Sequence, residues 1–239
     1  MLYPFFSPLL SPIFTSFPLD FLFAGSVYAE EGTFLHELSE MKLHRYLGDM
    51  TPEVLEAQYA EHRDNDFYSD EAENVTDEYV DFCIETIEAV RASCPDPLIL
   101  VERRLDFSEY VPDGFGTGDL VIVADGVLEI VDFKGGRGVR VEADHNSQLM
   151  LYGLGALLEF EALYDIQTVR MSIVQPRLNN VSTYETSAEE LVRWAKTEVR
   201  PKALLAASGA DFARRGTPAA SAVNTTCGWP SATLSSPTC

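Results

Sequence analysis

Cysteine is scarce in this chain, and basic residues are heavily outnumbered. The 239 residues include four Cys, at positions 83, 94, 227 and 239, none at zinc-ligand spacing. So few cysteines in so long a chain argue against a disulfide framework. With 17 Lys+Arg against 38 Asp+Glu, the formal net charge is −21. That balance argues against a free-standing, nonspecific DNA coat protein. It leaves a nuclease open, because local charge and bound metal matter more there than the sum. P-loop, H-E-x-x-H and G-x-S-x-G motifs are missing, which removes several common enzyme classes. The glycines of GFGTG (114–118) do not precede an expected helix, so they are no nucleotide fingerprint. An uninterrupted membrane helix is lacking too. Residues 1–25 are apolar, with Asp20 as their only charge, but Pro4, Pro8, Pro12 and Pro18 break them. The basic start of a signal peptide is also missing, so no membrane partner is expected.

What remains has ordinary globular composition, 46% hydrophobic and 23% charged, enough for a real core. After the apolar leader, Leu35, Leu38, Leu43 and Leu47 recur at near-helical spacing, and Gly48 is a plausible stop. Between 49 and 81, acids far outnumber the single Arg63, which predicts a solvated stretch with exposed helices. From Asp77 to Ala92, Val80, Cys83, Ile84, Ile87 and Val90 form one helical stripe. Three strands are expected at Leu98–Phe107, Thr117–Ala124 and Val127–Lys134, with Asp125–Gly126 as a two-residue hairpin turn. A helix over about 145–161 follows, then strands at Thr168–Gln175 and Ser182–Thr186 around a Pro176–Asn180 turn. Ser187 and Glu190 have capping-box spacing and open a last helix toward Leu205. The expected architecture is α/β, a mixed central sheet flanked by helices. Residues 26–208 form its one domain, between an atypical leader (1–25) and a Ser/Thr/Ala/Pro-rich tail (209–239) that reads as disordered.

The chemistry concentrates in Gly118-Asp119, Asp132-Phe133-Lys134 and Gln148-x-x-x-Tyr152. Asp132 and Lys134 lie two apart on a strand and share a face. The hairpin can bring Asp119 beside them, making an oxygen-rich site suited to Mg²⁺. Such a cation would polarise a phosphate and activate water, while Lys134 offsets developing charge. Gln148 and Tyr152 are one helical turn apart. Taken singly, each feature has an ordinary explanation: a surface ion pair for Asp-x-Lys, turn chemistry for Asp119, a helix rim for Tyr152. Together, and with Asp132 set in the apolar frame EIVDFKG, they point to a site, because a buried acid is costly without a partner or metal.

The set resembles the PD-(D/E)XK nuclease superfamily in its RecB-like exonuclease branch, and within it an uncharacterised phage and prophage family. The similar stretches are AEEGTFLHELSE (29–40), GTGDLVIV (116–123), VDFKGGRGVRVEADHNSQLMLYGLGAL (131–157) and IVQPRLNNVSTYETSAEELVRWA (173–195). The resemblance implies a restriction-endonuclease-like core and metal-dependent cleavage of DNA. It places Mg²⁺ (or Mn²⁺) on Asp119, Asp132, the Phe133 carbonyl and His36, which would leave the Phe133 side chain replaceable. Lys134 becomes the catalytic lysine, and Gln148 and Tyr152 DNA contacts. Glu102 is open between the metal and a pairing with Arg103 or Arg104. Arg137 and Arg140 follow the catalytic strand and can meet DNA phosphates, with Arg170 a further member of a basic channel. The expected setting is the cytoplasm of a bacterial host, in recombination or replication of a phage or prophage, with a recombination or replication protein as partner. A catalytically degenerate DNA-processing or partner-binding module is the competing expectation.

Several members of the branch carry an iron–sulfur cluster on four cysteines, one near the start and three near the end. The cysteine positions here do not support one. From Ala213 onward the sequence departs from the resemblance. We expect a changed reading frame there and a replaced start over 1–25; an intact locus with related tails in sister phages would refute this.

Overall fold

The computed structural model describes residues 20–208. The leader before residue 20, the tail from 209, Cys227 and Cys239 lie outside the described residues. Three helices come first: α1 (Asp20–Leu47), α2 (Pro52–Arg63) and α3 (Asp70–Ser93). Strands β1 (Leu98–Asp106), β2 (Phe115–Ala124) and β3 (Gly126–Phe133) follow, then α4 (Ser147–Phe160). Strands β4 (Ile166–Gln175) and β5 (Asn180–Ser187) flank a 3₁₀ turn at Pro176–Leu178. The described chain ends in α5 (Ala188–Trp194), a π-helical turn (Ala195–Val199) and α6 (Arg200–Ala207). No described helix is long and apolar enough to cross a membrane.

The sheet runs β1-β2-β3-β4-β5. All neighbours are antiparallel except β3 and β4, which are parallel and joined through α4. The expected mixed α/β sheet flanked by helices is present. Leu35, Leu38, Val80, Cys83 and Ile87 pack with Leu120, Ile122, Val131 and Phe133 on one face. Leu149, Leu154 and Leu157 of α4 and Leu191 of α5 pack with Val121, Val123, Ile130 and Val169 on the other. Each fully buried Leu or Ile contributes roughly 1.5–3 kcal/mol through lost apolar exposure. Several local signals act as the sequence predicts. Gly48 ends α1 with φ +75°, and Gly126 makes the β2–β3 turn with φ +89°. The Ser187 hydroxyl accepts from Glu190 N at 3.1 Å.

Two expectations need correction. Helix α1 starts at Asp20, inside the stretch read as leader. The acidic stretch is also only half solvated: α2 has no buried residue, but α3 buries Ala72, Val75, Thr76, Tyr79 and Val80. Its acids occupy the outer face, and the apolar residues between them are at helical spacing. Lys42, buried from α1, reinforces this face through Glu73, Asp77 and Thr76 Oγ1.

Glu129 on β3 is 2% exposed and pairs with Arg170, its neighbour in register on β4. Burial raises its carboxyl to about 7, with Arg170 pulling the other way. The folded state therefore holds this proton more tightly than the unfolded chain. That contribution is complete below the ordinary carboxylate range and is lost as pH rises through about 7. Glu129→Gln is expected to gain roughly 1–3 kcal/mol relative to wild type between pH 5 and pH 8. Urea unfolding at both pH values measures this; a constant difference would refute it.

Candidate metal centre

The site forms where β1 and β2 change face together. Val101 and Leu120, paired in register, turn toward α1 and α3. Leu105 and Gly116, also paired, turn toward α4: Leu105 lies in that core, and a Cβ on Gly116 would meet Tyr152. An even spacing should keep one face, so both strands twist over between these pairs. The twist is located at Glu102, which has φ +48° inside a strand. A non-glycine residue holds that conformation at a cost of about 1–3 kcal/mol, and such strain gathers at functional sites. Glu102 and Asp119 lie between the paired positions and are carried out of the regular alternation toward α1.

Helix α1 brings His36 to them. His36 Nδ1 is 3.4 Å from Asp119 Oδ1 and 3.6 Å from Glu102 Oε1. Ligand atoms of His36, Glu102 and Asp119 all fall within 4.8 Å of one another. Burial pulls the imidazole pKa down, but the two carboxylates outweigh it and raise it to about 10. Burial also raises Glu102, with His36 opposing. The question left open at Glu102 is thus answered in geometry: it faces His36. Arg103 pairs with Glu159, and Arg104 lies over the Phe115 ring.

Asp132, 3% exposed, lies just outside this triad. Burial and then Asp119 raise its carboxyl to about 6, against the pull of Lys134. Lys134 Nζ is 3.1 Å from Asp132 Oδ1 and 2.9 Å from Oδ2. The contact to Oδ2 is off the hydrogen-bonding direction, so this buried oxygen accepts no hydrogen bond. Asp119 Oδ2 accepts from Phe133 N at 2.6 Å, tying the two acid-bearing strands together.

Helix α4 completes the network. Asn146 caps it by accepting from the backbone of Gln148 and Leu149, which fixes Gln148 in the first turn. Gln148 Nε2 donates to Asp132 Oδ1 at 3.3 Å and to the Tyr152 hydroxyl at 2.8 Å. Lys134 donates to Gln148 Oε1 at 3.4 Å. The Tyr152 ring passes so close to β2 that a Cβ on Gly116 would lie 2.3 Å from its Cε1. Gly116→Ala must push the ring aside and break the Gln148 contact. We expect a destabilisation of about 1–3 kcal/mol from overpacking, with a marked loss of any activity the network supports. Wild-type melting and turnover in this variant would show that Tyr152 needs no such seat.

His36, Glu102, Asp119, Asp132, Lys134, Gln148 and Tyr152 are therefore brought together. Arg137 and Arg140 stand apart from this network: both are exposed and paired, with Glu71 and Glu142. Arg170 lies between Glu129 and Glu185 rather than in a basic channel. The side chain of Phe133 is not replaceable as expected. It is fully buried, stacked on Tyr79 at 4.4 Å and 5.2 Å from the His36 ring, so truncation would leave a cavity under the site. The sequence reading also missed Arg177, whose guanidinium donates to the Gly135 carbonyl and to Glu31. The Pro-Arg-Leu-Asn-Asn turn that carries it was the available signal. Gln175 and Asn180 were missed as well; they hold the backbone of Val139 and Val141.

A cavity of about 350 Å³ opens elsewhere, between α1 and α2, lined by Glu37, Glu40, Glu61, His44 and His62 among others. None of the seven network residues lines it.

A protein-family model described as a protein of unknown function, DUF2800, matches residues 21–227. The match extends at both ends beyond 26–208, the span assigned to the domain. Among solved structures, SSO0001 is similar at 15% identity and a TM-score of 0.22, over 65% of this chain and 68% of that one. So low a score carries no argument.

Proposed function

We propose that this chain, which belongs to the DUF2800 family of proteins of unknown function, is a divalent-cation-dependent nuclease acting on DNA. On this reading it is a PD-(D/E)XK protein of the RecB-like branch. The observation that supports it is the meeting, at one strained twist of the sheet, of His36, Glu102 and Asp119 with the Asp132–Lys134 pair.

The donor set fits a hard cation. It is mostly carboxylate with one imidazole, which suits Mg²⁺ or Mn²⁺. Asp132 Oδ2 is buried and accepts no well-directed hydrogen bond, its ion-pair partner being Lys134 Nζ at 2.9 Å. His36, Glu102 and Asp119 would hold the ion, with Asp132 and the Phe133 carbonyl beside them, and His36 would give up the proton that the two carboxylates otherwise hold on it. Bound there, it would polarise the scissile phosphate and lower the pKa of water.

The protein's own groups do the rest. Lys134, half-buried beside Asp132, can donate to the attacking water or a phosphate oxygen and offset charge as the P–O bond breaks. Gln148 and Tyr152 present an amide and a hydroxyl on one helix face, positioned to fix the phosphate against Lys134. The Phe133 N–H holds Asp119 in place. Action at DNA ends, in recombination or replication of a phage or prophage, belongs to this reading through the family resemblance alone.

The test is incubation of end-labelled linear DNA and its circular counterpart with Mg²⁺, Mn²⁺ or EDTA. Metal-dependent degradation of the linear form, with the circle spared, is expected. No cleavage of either by folded protein would overturn the reading in favour of a degenerate partner-binding module.

A further inference from the structure

We propose that Arg104 and Phe115 form a single-strand nucleotide subsite next to the acid cluster, Phe115 stacking a base and Arg104 holding its phosphate. The inference rests on the nuclease reading and adds where the strand lies. Past the twist, Leu105 and Gly116 face α4, so by alternation Arg104 and Phe115 face the side from which α1 brings His36. Arg104 stands two residues beyond Glu102, a distance of about 7 Å along a strand, within reach of the nucleotide adjoining the one at the cluster.

Three observations favour a ligand over a solvated surface pair. Phe115, four residues before Asp119 and so about 13 Å from it along β2, is a large aromatic left 48% exposed. Arg104 sits over its ring, with Cζ 4.1 Å from the centroid. Arg104 has no ion-pair partner among the described residues, whereas the other sheet arginines, Arg103 and Arg170, pair with Glu159 and Glu129. In a chain of net charge −21, a guanidinium two residues from the acid triad, with only the charge of Asp106 further along its own strand acting on it, matches a phosphate. A planar cation beside an exposed ring is also how sequence-tolerant single-strand binding is built.

The probe is a fluorescein-labelled oligothymidylate in calcium buffer, followed by anisotropy. Phe115→Ala and Arg104→Ala are each expected to weaken binding about 5- to 100-fold. Phe115→Trp should restore it, with tryptophan emission quenched as the strand saturates the protein. Abasic sites in the strand should weaken wild-type binding but leave Phe115→Ala unaffected. Both side chains are exposed, so unfolding midpoints near wild type should confirm intact folds. Wild-type affinity in both alanine variants, or unquenched tryptophan at saturation, overturns the subsite. DNA cleavage by wild type with alanine variants that bind normally sinks the subsite and leaves the nuclease standing. Phe115-dependent binding without cleavage under any metal supports the subsite and sinks the nuclease. A wild type that binds no strand sinks the subsite, and the nuclease is then decided by cleavage alone.

Discussion

Lys134→Ala is expected to lower metal-dependent DNA cleavage by about 1,000-fold while the protein stays folded. Two losses combine in that number. The ammonium that would steady the water and the leaving charge is gone. Asp132 also loses the cation that opposes its burial, so its carboxyl, already at about 6, rises further and is partly protonated near neutrality. Raising the pH should recover the second part and not the first. Lys134→Arg should not rescue, because a planar fork cannot take the place of a compact ammonium between Asp132 and Gln148. A companion variant separates chemistry from folding. Asp132→Asn removes a buried carboxylate whose folded pKa lies above its unfolded value, so the stabilising proton is lost as pH rises through about 6. In EDTA at pH 8 the Asn variant should be as stable as wild type or more so, and inactive. Wild-type cleavage by either variant would mean that the site lies elsewhere.

The acidity of the chain bears on that experiment. Most basic side chains on the described surface neutralise neighbouring acids: Arg137 with Glu71, Arg140 with Glu142, Arg170 with Glu129 and Glu185. Releasing any of them to a phosphate exposes a carboxylate, so such contacts add little net attraction. Among the described residues Arg45, Arg104, Lys196 and Arg200 form no ion pair, so approach of a polyanion depends on these, on Lys134 beside Asp132 and on cations at the acid triad. Binding should fall more steeply on metal removal than on loss of Arg137 or Arg140.

Sequence reading succeeded where the signal is local or pairs adjacent strands. The Asp125–Gly126 turn aligns β2 with β3, and that register brings Asp119 beside Asp132 and Phe133. Helical spacing alone placed Gln148 and Tyr152 on one face. His36 was beyond such arithmetic: nothing in spacing says that a histidine on α1 meets an acid on β2, and only the family resemblance supplied it. The twist at Glu102 was hidden for another reason. It violates the strand alternation that the reading assumes, and a strained φ leaves no mark in composition. Glu129 escaped because its partner Arg170 comes from the strand after the α4 crossover. The buried half of α3 was masked by the acids that share its turns.

Arg177 shows the longest reach of what the sequence hid, and it carries the largest stability effect expected. It sits in the turn after β4, 6% exposed, and joins elements far apart in the chain. Its guanidinium is 2.6 Å from Glu31 on α1, 3.2 Å from Glu71 on α3 and 2.9 Å from the Gly135 carbonyl. Removing it would leave Glu31, about a quarter exposed, and the Gly135 carbonyl without their cation, while Glu71, about half exposed, keeps Arg137. Breaking a fully buried pair from one side costs about 3–5 kcal/mol, and with both acids here part-exposed about 2–3 kcal/mol is expected. Arg177→Met keeps the packing volume and should lose most of that amount in urea unfolding. Arg177→Lys should recover little, since one ammonium cannot reach three acceptors spread around a fork. Glu31→Gln in the Met background should restore part of the loss by removing a stranded charge, which simple packing damage would not allow. Gly135 directly follows Lys134, so the same variant should loosen the lysine and reduce cleavage even where the protein remains folded. A loss below about 1 kcal/mol would place this pair among ordinary surface bridges and remove the link between the turn after β4 and the site.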